Sequence, residues 1–130
     1  HSAKSLAQQF YAELEVASAA GSDALKALIK KWYANNAEQN EAGEQPTKGL
    51  EAILARESVF YDNYFDWSVK IDAPLYKILS IHADEAAHTT FTHHSFKAAF
   101  KGAGVISGEQ LTEQHWDVKS GKIVKEVFWQ

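Results

Sequence analysis

The sequence contains no cysteine and no methionine, and only two of its 130 residues are proline. Without cysteine, thiol catalysis, cysteine-ligated zinc sites and disulfide frameworks are excluded. No apolar run approaches the roughly 20 residues that a transmembrane helix needs, so we expect no membrane contact through such a segment. The lysines are dispersed among 17 acidic residues without any basic block. A nucleic-acid-binding surface is therefore not expected.

The first residues, His-Ser-Ala-Lys, are neither an initiator methionine nor the apolar core of a secretory signal. The cellular location therefore stays open between the cytoplasm and, if a signal has been removed, export.

What the chain does contain is typical of one globular domain spanning residues 1–130. Hydrophobic residues make up 45% of it, charged residues 23%, and the net charge is −4. The aromatic content is high, with 7 Phe, 5 Tyr and 4 Trp. This number exceeds what a core of this size needs, so we expect some rings to line a cavity or a partner surface.

The first half of the chain has helical periodicity. Leu6, Phe10 and Leu14 recur at helical spacing and predict a first helix over about residues 2–19. After Gly21, a second helix is predicted with Ser22 as its N-cap. Residues 34–49 carry no large apolar side chain and predict a loop that holds at most a short, polar extended segment. A third helix, capped by Thr47, is predicted to run to about residue 65.

From Asp66 the period changes towards two, which indicates strands. The predicted strands are Trp67–Ile71, Leu75–His82, Ala87–Phe100, Gln110–Val118 and Ile123–Trp129. A turn bracketed by Gly102, Gly104 and Gly108 joins the third strand to the fourth, and residues 119–122 form the last hairpin. Three N-terminal helices followed by a meandering, mostly antiparallel sheet predict an α+β fold with the helices packed on one face of the sheet.

Both faces of the two longest predicted strands mix aromatic rings with hydrogen-bonding groups. A sheet covered on one side only should instead alternate cleanly between apolar and polar residues. The mixture indicates an inner face that borders a semi-polar cavity, an outer face that pairs with another subunit, or both. Exposure of a few tolerated polar residues at a sheet edge is the remaining interpretation.

Five of the six histidines fall in this sheet region, but their spacing argues against a metal site. His93 and His94 are adjacent on a predicted strand and therefore point to opposite faces. No pair has the His-x-His or His-x-x-x-His spacing. Gly102-Ala-Gly104 lacks the helix that follows a phosphate-binding loop, and no Gly-x-Ser-x-Gly segment supports a nucleophilic hydrolase. We expect no metal and no cofactor.

Short segments in a fixed order carry a resemblance to a known family. They are Phe10-Tyr-Ala-Glu-Leu14, Trp32-Tyr-Ala-Asn-Asn-Ala37, Gly49-Leu-Glu-Ala-Ile53, His115-Trp-Asp-Val118 and Gly121-Lys-Ile-Val124. Together they resemble the nuclear transport factor 2-like superfamily, which includes SnoaL-like polyketide cyclases and ketosteroid isomerases. The resemblance implies a curved sheet wrapped by three helices into a cone, a pocket at the open end, and a homodimer formed through the sheet.

The resemblance also implies site residues. In ketosteroid isomerases a carboxylate moves a proton beside a carbonyl, while a tyrosine and a neutral aspartic acid hold the oxyanion. The matching positions here are Tyr11 for the tyrosine, Glu41 for the base and Gln114 for the oxyanion donor. Glu41 is one methylene longer than the aspartate of the family, and Gln114 donates a hydrogen bond without being an acid. In the last strand, Glu126 lies close to the acidic position of the cyclases, but Phe128 occupies that position, so cyclase chemistry is not supported residue by residue.

Two functions follow from these residues, and the sequence leaves both open. The first is a cofactor-independent isomerase, cyclase or dehydratase that acts by acid–base chemistry on an apolar carbonyl compound. Its candidate bases are Glu41 and Asp117, and its candidate polarising groups are Tyr11, Gln114, His93 and His115. The side chains expected to line the pocket are Trp32, Tyr61, Phe91, His93, Trp116 and Phe128. The second function is a non-catalytic module of the same fold that binds a ligand or dimerises.

Overall fold

A computed structural model describes residues 1–129. Three α-helices and a six-stranded sheet form the fold, and the strand order is β2-β1-β6-β5-β4-β3. The elements are α1 (Ala3–Ala20), α2 (Ser22–Trp32), β1 (Tyr33–Glu41), β2 (Thr47–Lys48), α3 (Leu50–Val59), β3 (Tyr76–Asp84), β4 (Thr89–Phe100), β5 (Gly104–Asp117) and β6 (Lys122–Trp129). All neighbouring strands are antiparallel except β1 and β6, which are parallel. The predicted α+β class, with helices on a curved and mostly antiparallel sheet, is confirmed.

The first two helices form where the apolar periodicity predicts them. The Ser2 side chain caps α1, and Gly21, at φ 112°, ends α1 and begins α2 in a conformation that favours glycine. The prediction that Ser22 is the N-cap is wrong, because Gly21 takes that position and Ser22 is already helical. Its hydroxyl donates to Asp62 instead, at 2.7 Å. The two helices are therefore joined by a single residue.

The prediction of a loop over residues 34–49 is also wrong. Residues Tyr33–Glu41 form a nine-residue strand that pairs in parallel with β6, and the two residues of β2 pair with its outer edge. The strand has few large apolar side chains, but its inward positions are filled by Ala37 and Gln39, which are both buried. Backbone pairing and a hydrogen-bonded polar side chain stabilise this strand, and a reading of apolar periodicity does not detect them.

The third helix starts later than predicted and changes its geometry near its end. Thr47 lies in β2, and Gly49, at φ 93°, precedes α3 instead. After Val59 the chain continues as a π-helical turn over Phe60–Tyr64, which buries Tyr61 and leaves Phe60 and Tyr64 on the surface. π-helical turns of this kind occur frequently at functional sites.

The predicted strand Trp67–Ile71 is wrong, because this segment consists of turns and bends. β3 is an edge strand of the sheet, and within the described residues no strand pairs with residues 67–71. The indole of Trp67 donates instead to the carbonyl oxygen of Tyr61, at 2.7 Å. β5 is longer than predicted, so that Gly104 and Gly108 lie in the strand and not in the turn before it.

The core lies between α1, α2 and the inner face of the sheet. Trp116, from β5, packs edge-on against Phe10 and Trp32, with ring centroids 6.3 and 6.0 Å away. Its indole nitrogen donates to the hydroxyl of Thr90, at 3.0 Å, so its single polar atom is satisfied within the core. Phe10, one of the rings packed on Trp116, also lines the cavity between the helices and the sheet.

Candidate active site

A cavity of about 70 Å³ lies between the helices and the inner face of the sheet. Helices supply the apolar part of its wall, including Phe10, Leu25 and Ile29. The sheet and the end of α3 supply the polar part. The polar and aromatic lining residues are Tyr11, Tyr33, Gln39, Glu57, Tyr61, Tyr76, His94, Gln110, Thr112, Glu126 and Phe128.

Glu126, on β6, is the central polar residue of the cavity and is only 2% exposed. Its Oε1 accepts hydrogen bonds from the Tyr33 hydroxyl at 2.5 Å and from the Gln39 amide at 2.9 Å. Its Oε2 accepts one from the Gln114 amide, at 2.7 Å. These donors come from the two strands that flank β6, because Gln39 and Gln114 are its register partners on β1 and β5. Neighbouring strands thus hold the carboxyl group in a fixed orientation.

The pKa of Glu126 is set by two opposing effects. Burial raises it above the ordinary value, and the hydrogen bonds from Tyr33, Gln39 and Gln114 lower it, with burial the larger effect. Among the described residues, no Lys or Arg lines the cavity, so the carboxylate has amide and hydroxyl donors but no cation in the cavity lining. Oε2 accepts one of these bonds while Oε1 accepts two. Oε2 is therefore the oxygen with more capacity to accept a further proton.

A second carboxyl group, that of Glu57 on α3, lines the same cavity. The residue is partly exposed, but loss of solvation around its carboxyl, followed by repulsion from Glu126, raises its pKa to about 7. The charge of Arg56 and hydrogen bonds from Tyr61 and Gln39 act in the opposite direction. Two carboxyl groups that share one cavity repel each other when both are ionised, so the protonation state of each depends on the other.

A different polar group faces the cavity from β4. His94 is 3% exposed, and one ring nitrogen, Nε2, lies 2.9 Å from the hydroxyl of Thr112. Its other ring nitrogen, Nδ1, has no partner within the described residues. Burial lowers the pKa of His94 to about 4, so the ring is neutral at neutral pH. Tyr11 stacks obliquely on it, with ring centroids 5.9 Å apart.

A wider space of about 350 Å³, which we call the vestibule, lies next to the inner cavity. Tyr76 and Gln110 line both spaces, so the vestibule adjoins the cavity at these two side chains. Its lining residues are Glu41, Phe60, Phe65, Leu75, Tyr76, Phe96, Ala98, Phe100, Gly108, Glu109 and Gln110.

Of the residues singled out from the sequence, the structure brings four together at the inner cavity. Tyr11, Tyr61 and Phe128 line it directly. Gln114 is fully buried beside it and donates to Glu126. Trp32 and Trp116 are also buried, but they pack against Phe10 in the core and do not line the cavity.

The structure places the other candidates away from the cavity. Glu41 lines the vestibule, where its carboxylate lies 4.0 Å from the guanidinium of Arg56. Asp117 is exposed at the last hairpin and accepts hydrogen bonds from the backbone of residues 119 and 120. Because side chains alternate along a strand, Phe91, His93 and His115 lie on the outer face of the sheet. There His93 pairs with Glu109 at 2.8 Å, and His115 pairs with Glu113 at 2.5 Å.

Glu57, Tyr33, Gln39 and His94 complete the polar site, and none of them was a candidate from the sequence. A signal for Glu57 is present, since it lies four residues after Ile53 and four before Tyr61, on the buried side of α3. Glu126 occupies an inward position in β6, next to the apolar segment Val127–Trp129. A charged residue at an inward position is rarely buried without a function or a partner.

The described part of the chain places no group of three or more His, Asp or Glu side chains where they could hold a metal ion. None of its helices is both long and apolar enough to cross a membrane.

Neither a protein-family model nor a curated protein matches this sequence. Solved structures do match its fold. An LEH-like epoxide hydrolase from M. tuberculosis superposes with a TM-score of 0.69 at 12% identity, covering 97% of this chain and 83% of its own. A candidate SnoaL-like polyketide cyclase from Jannaschia sp. CCS1 gives 0.70 at 9% identity, with 96% and 85% covered. A cystatin-fold protein from Novosphingobium aromaticivorans gives 0.68 at 10% identity, with 100% and 99% covered.

These structures share the order of helices and strands with this chain over nearly its whole length, although few residues are identical. The chain therefore shares the α+β fold of these structures, in agreement with the fold that the resemblance in the sequence implies.

Proposed function

We propose that this protein is a cofactor-independent enzyme that moves a proton on a small, apolar carbonyl compound. The observation that carries the proposal is the pair of carboxyl groups, Glu126 and Glu57, which face one cavity that also contains neutral hydrogen-bonding groups. A pair of carboxyls with different environments is a common arrangement for acid–base catalysis, because one accepts a proton while the other supplies one. Similar structures named as an epoxide hydrolase and a candidate cyclase support small-molecule chemistry in this fold.

The proposed roles follow from the hydrogen bonds. Glu126 is the base, since its carboxylate is fixed by three donors and Oε2 retains acceptor capacity. It removes a proton from the carbon next to the carbonyl, and the C–H electron pair forms the C=C bond of an enolate. Tyr11, which lines the same cavity, donates a hydrogen bond to the enolate oxygen. The proton then returns to carbon, and with a pKa of about 7 Glu57 is able to take part in this return at neutral pH.

Hydrogen–deuterium exchange tests this proposal without knowledge of the natural substrate. The protein is incubated in D₂O with small cyclic ketones, including 3-cyclohexen-1-one, and deuterium next to the carbonyl is followed by NMR. We expect exchange above the buffer rate. The substitution Glu126→Gln keeps the shape of the side chain but removes the base, and general bases typically contribute about 100-fold or more. We therefore expect a loss of at least that size in this variant.

Glu51→Gln, on an exposed position of the same helix as Glu57, is the matched control and should leave the exchange rate unchanged. Ketones that bind to the protein but exchange only at the buffer rate would favour the non-catalytic, ligand-binding function instead. Equal rates in the wild type and in Glu126→Gln would remove Glu126 from the mechanism.

We also infer that two copies of the chain associate through the outer face of the sheet. Leu111 and Trp129 are directly paired across β5 and β6, and they are 39% and 46% exposed. Phe91 lies on the same face and is half-buried. Sedimentation at micromolar concentration should show a dimer, and Leu111→Asp should convert it to a monomer, because the substitution places a charge in an apolar contact. A clean monomer of the unsubstituted protein would contradict this inference.

A further inference from the structure

Five aromatic side chains line the vestibule. Phe60, Phe65 and Phe100 form an edge-to-face cluster on one side, with centroid distances of 4.9 Å between Phe65 and Phe100 and 5.7 Å between Phe60 and Phe65. Phe60 is 44% exposed. Contiguous apolar surface left open to water in this way commonly marks a binding site.

The position of another ring in the vestibule, that of Phe96, depends on a glycine. Gly108 on β5 lies directly across from Phe96 on β4, and both residues line the space. A Cβ atom at position 108 would lie 3.1 Å from Cζ and 3.2 Å from Cε1 of the Phe96 ring. The ring therefore lies against the bare backbone of β5, where any larger residue would displace it. Gly108 is not at a positive φ, so its role here is to leave space for the ring.

The vestibule adjoins the inner cavity. Tyr76 and Gln110 line both spaces, so a molecule held at the carboxyl pair would reach the ring-lined space past these two side chains. The inner cavity is small and carries the carboxyl pair of Glu126 and Glu57, whereas the vestibule is larger and carries the phenylalanine rings. The two spaces therefore favour the two ends of an amphiphilic molecule.

We propose that the vestibule binds the apolar tail of the molecule whose carbonyl-bearing head enters the inner cavity, and that Phe96, positioned by Gly108, limits the length of that tail. The identity of the head rests on the proposed function, whereas the tail site rests on the vestibule alone. The substrate class is thus a ketone or aldehyde with a compact head and an extended apolar substituent.

Binding of a homologous series tests the proposal. Dissociation constants of the straight-chain methyl ketones, from 2-butanone to 2-undecanone, are measured by titration calorimetry. We expect affinity to rise by about fourfold for each methylene that enters the vestibule, which corresponds to about 0.8 kcal/mol per buried methylene, and then to level off when the space is full. Affinity that does not depend on chain length would overturn the proposal.

Variants of the Gly108–Phe96 pair identify the part of the protein that sets the limit. Gly108→Ala should push the ring into the vestibule and weaken binding of the longest ketones by about fourfold, the equivalent of one methylene, without changing binding of 2-butanone. Phe96→Ala should move the plateau to longer chains. In the double variant the alanine at 108 has no ring to displace, so its effect should disappear, which is the non-additivity of two residues in contact.

Val105→Ala is the matched control, because Val105 is 51% exposed on the same strand and does not line the vestibule. A control with the same loss as Gly108→Ala, or a double variant in which the two effects simply add, would overturn the role of the pair. Phe96→Leu provides a second variant if Phe96→Ala unfolds, and it should move the plateau in the same direction.

Failure of this inference and failure of the proposed function are distinguishable. Glu126→Gln should abolish deuterium exchange but keep the dependence of affinity on chain length. Chain-length dependence without exchange in the unsubstituted protein would leave the vestibule site in place and remove the catalytic function. Deuterium exchange without a dependence of affinity on chain length would keep the catalytic function and remove the vestibule site.

Discussion

Replacement of Glu57 by glutamine should change how the stability of the protein depends on pH. Folding raises the pKa of this carboxyl from 4.5 to about 7, so the folded state holds its proton more tightly than the unfolded chain does. Below pH 4.5 the group is protonated in both states and contributes nothing. Between pH 4.5 and 7 the unfolded chain releases the proton first, so stability falls as the pH rises. Above pH 7 the loss is complete.

The magnitude follows from the size of the shift. At about 1.4 kcal/mol for each pKa unit, the full shift corresponds to about 3 kcal/mol. Glu57 is partly exposed, so water screens part of this penalty, and we expect about 2 kcal/mol. Glutamine has no ionised form and keeps an amide where the carboxyl makes its hydrogen bonds. Glu57→Gln should therefore be more stable than the unsubstituted protein by about 2 kcal/mol at pH 8, and the difference should shrink towards pH 4.5.

The difference between the two proteins is the quantity to measure, because His94 acts in the opposite direction. Its folded pKa of about 4 lies below the ordinary 6.5, so its contribution to stability is lost as the pH falls from 6.5 towards 4. In the unsubstituted protein the two effects partly cancel. Subtraction of the Glu57→Gln curve removes the contribution of His94 and leaves that of Glu57, together with the part of the Glu126 titration that depends on Glu57.

Urea unfolding followed by tryptophan fluorescence at pH 5, 6, 7 and 8 provides the free energies. Glu51→Gln, at an exposed position on the same helix, should show the same pH dependence as the unsubstituted protein. Parallel curves for the Glu57→Gln and unsubstituted proteins would refute the reasoning, since they would mean that folding leaves the affinity of this carboxyl for its proton unchanged.

Two further predictions concern the same cavity. Tyr33→Phe removes one of the three donors to buried Glu126, so we expect the free energy of unfolding to fall by about 1–3 kcal/mol and the pKa of Glu126 to rise further. Urea unfolding measures the first effect, and the pH profile of deuterium exchange measures the second. An unchanged free energy of unfolding would mean that the hydrogen bond from Tyr33 contributes nothing to stability. The buried ring of His94 should stay neutral from pH 8 down to pH 5.5, which NMR of its ring protons checks, and protonation near pH 6.5 would show that water reaches the ring.

Apolar periodicity in the sequence was sufficient for the helices and most of the sheet. The stripe containing Leu6, Phe10 and Leu14 predicts α1 to within a residue or two, because such a stripe is stable only when one helical face is buried. The hairpin between Gln110–Val118 and Ile123–Trp129 was predictable for a similar reason, since a short polar turn separates two strand-like segments.

Two segments show where this reasoning stops. Tyr33–Glu41 has the composition of a loop but forms an inner strand. Trp67–Ile71 alternates like a strand but pairs with no strand in the part of the chain that the structure describes. A strand needs partners as much as side chains, and the partner of β1 is β6, which lies more than 80 residues away along the chain. Periodicity within a segment contains no information about such a partner.

The chemistry of the site also depends on residues that lie far apart along the chain. The sequence by itself determined the class of fold and the presence of tyrosines and acids in its helices and strands. Only the tertiary structure decided that Glu126, and not Glu41, has its charge enclosed, because the donors that hold it, Tyr33, Gln39 and Gln114, come from two other strands. The pKa of a carboxyl depends on what surrounds it within a few ångströms, and those surroundings are brought together only when the sheet and the helices pack.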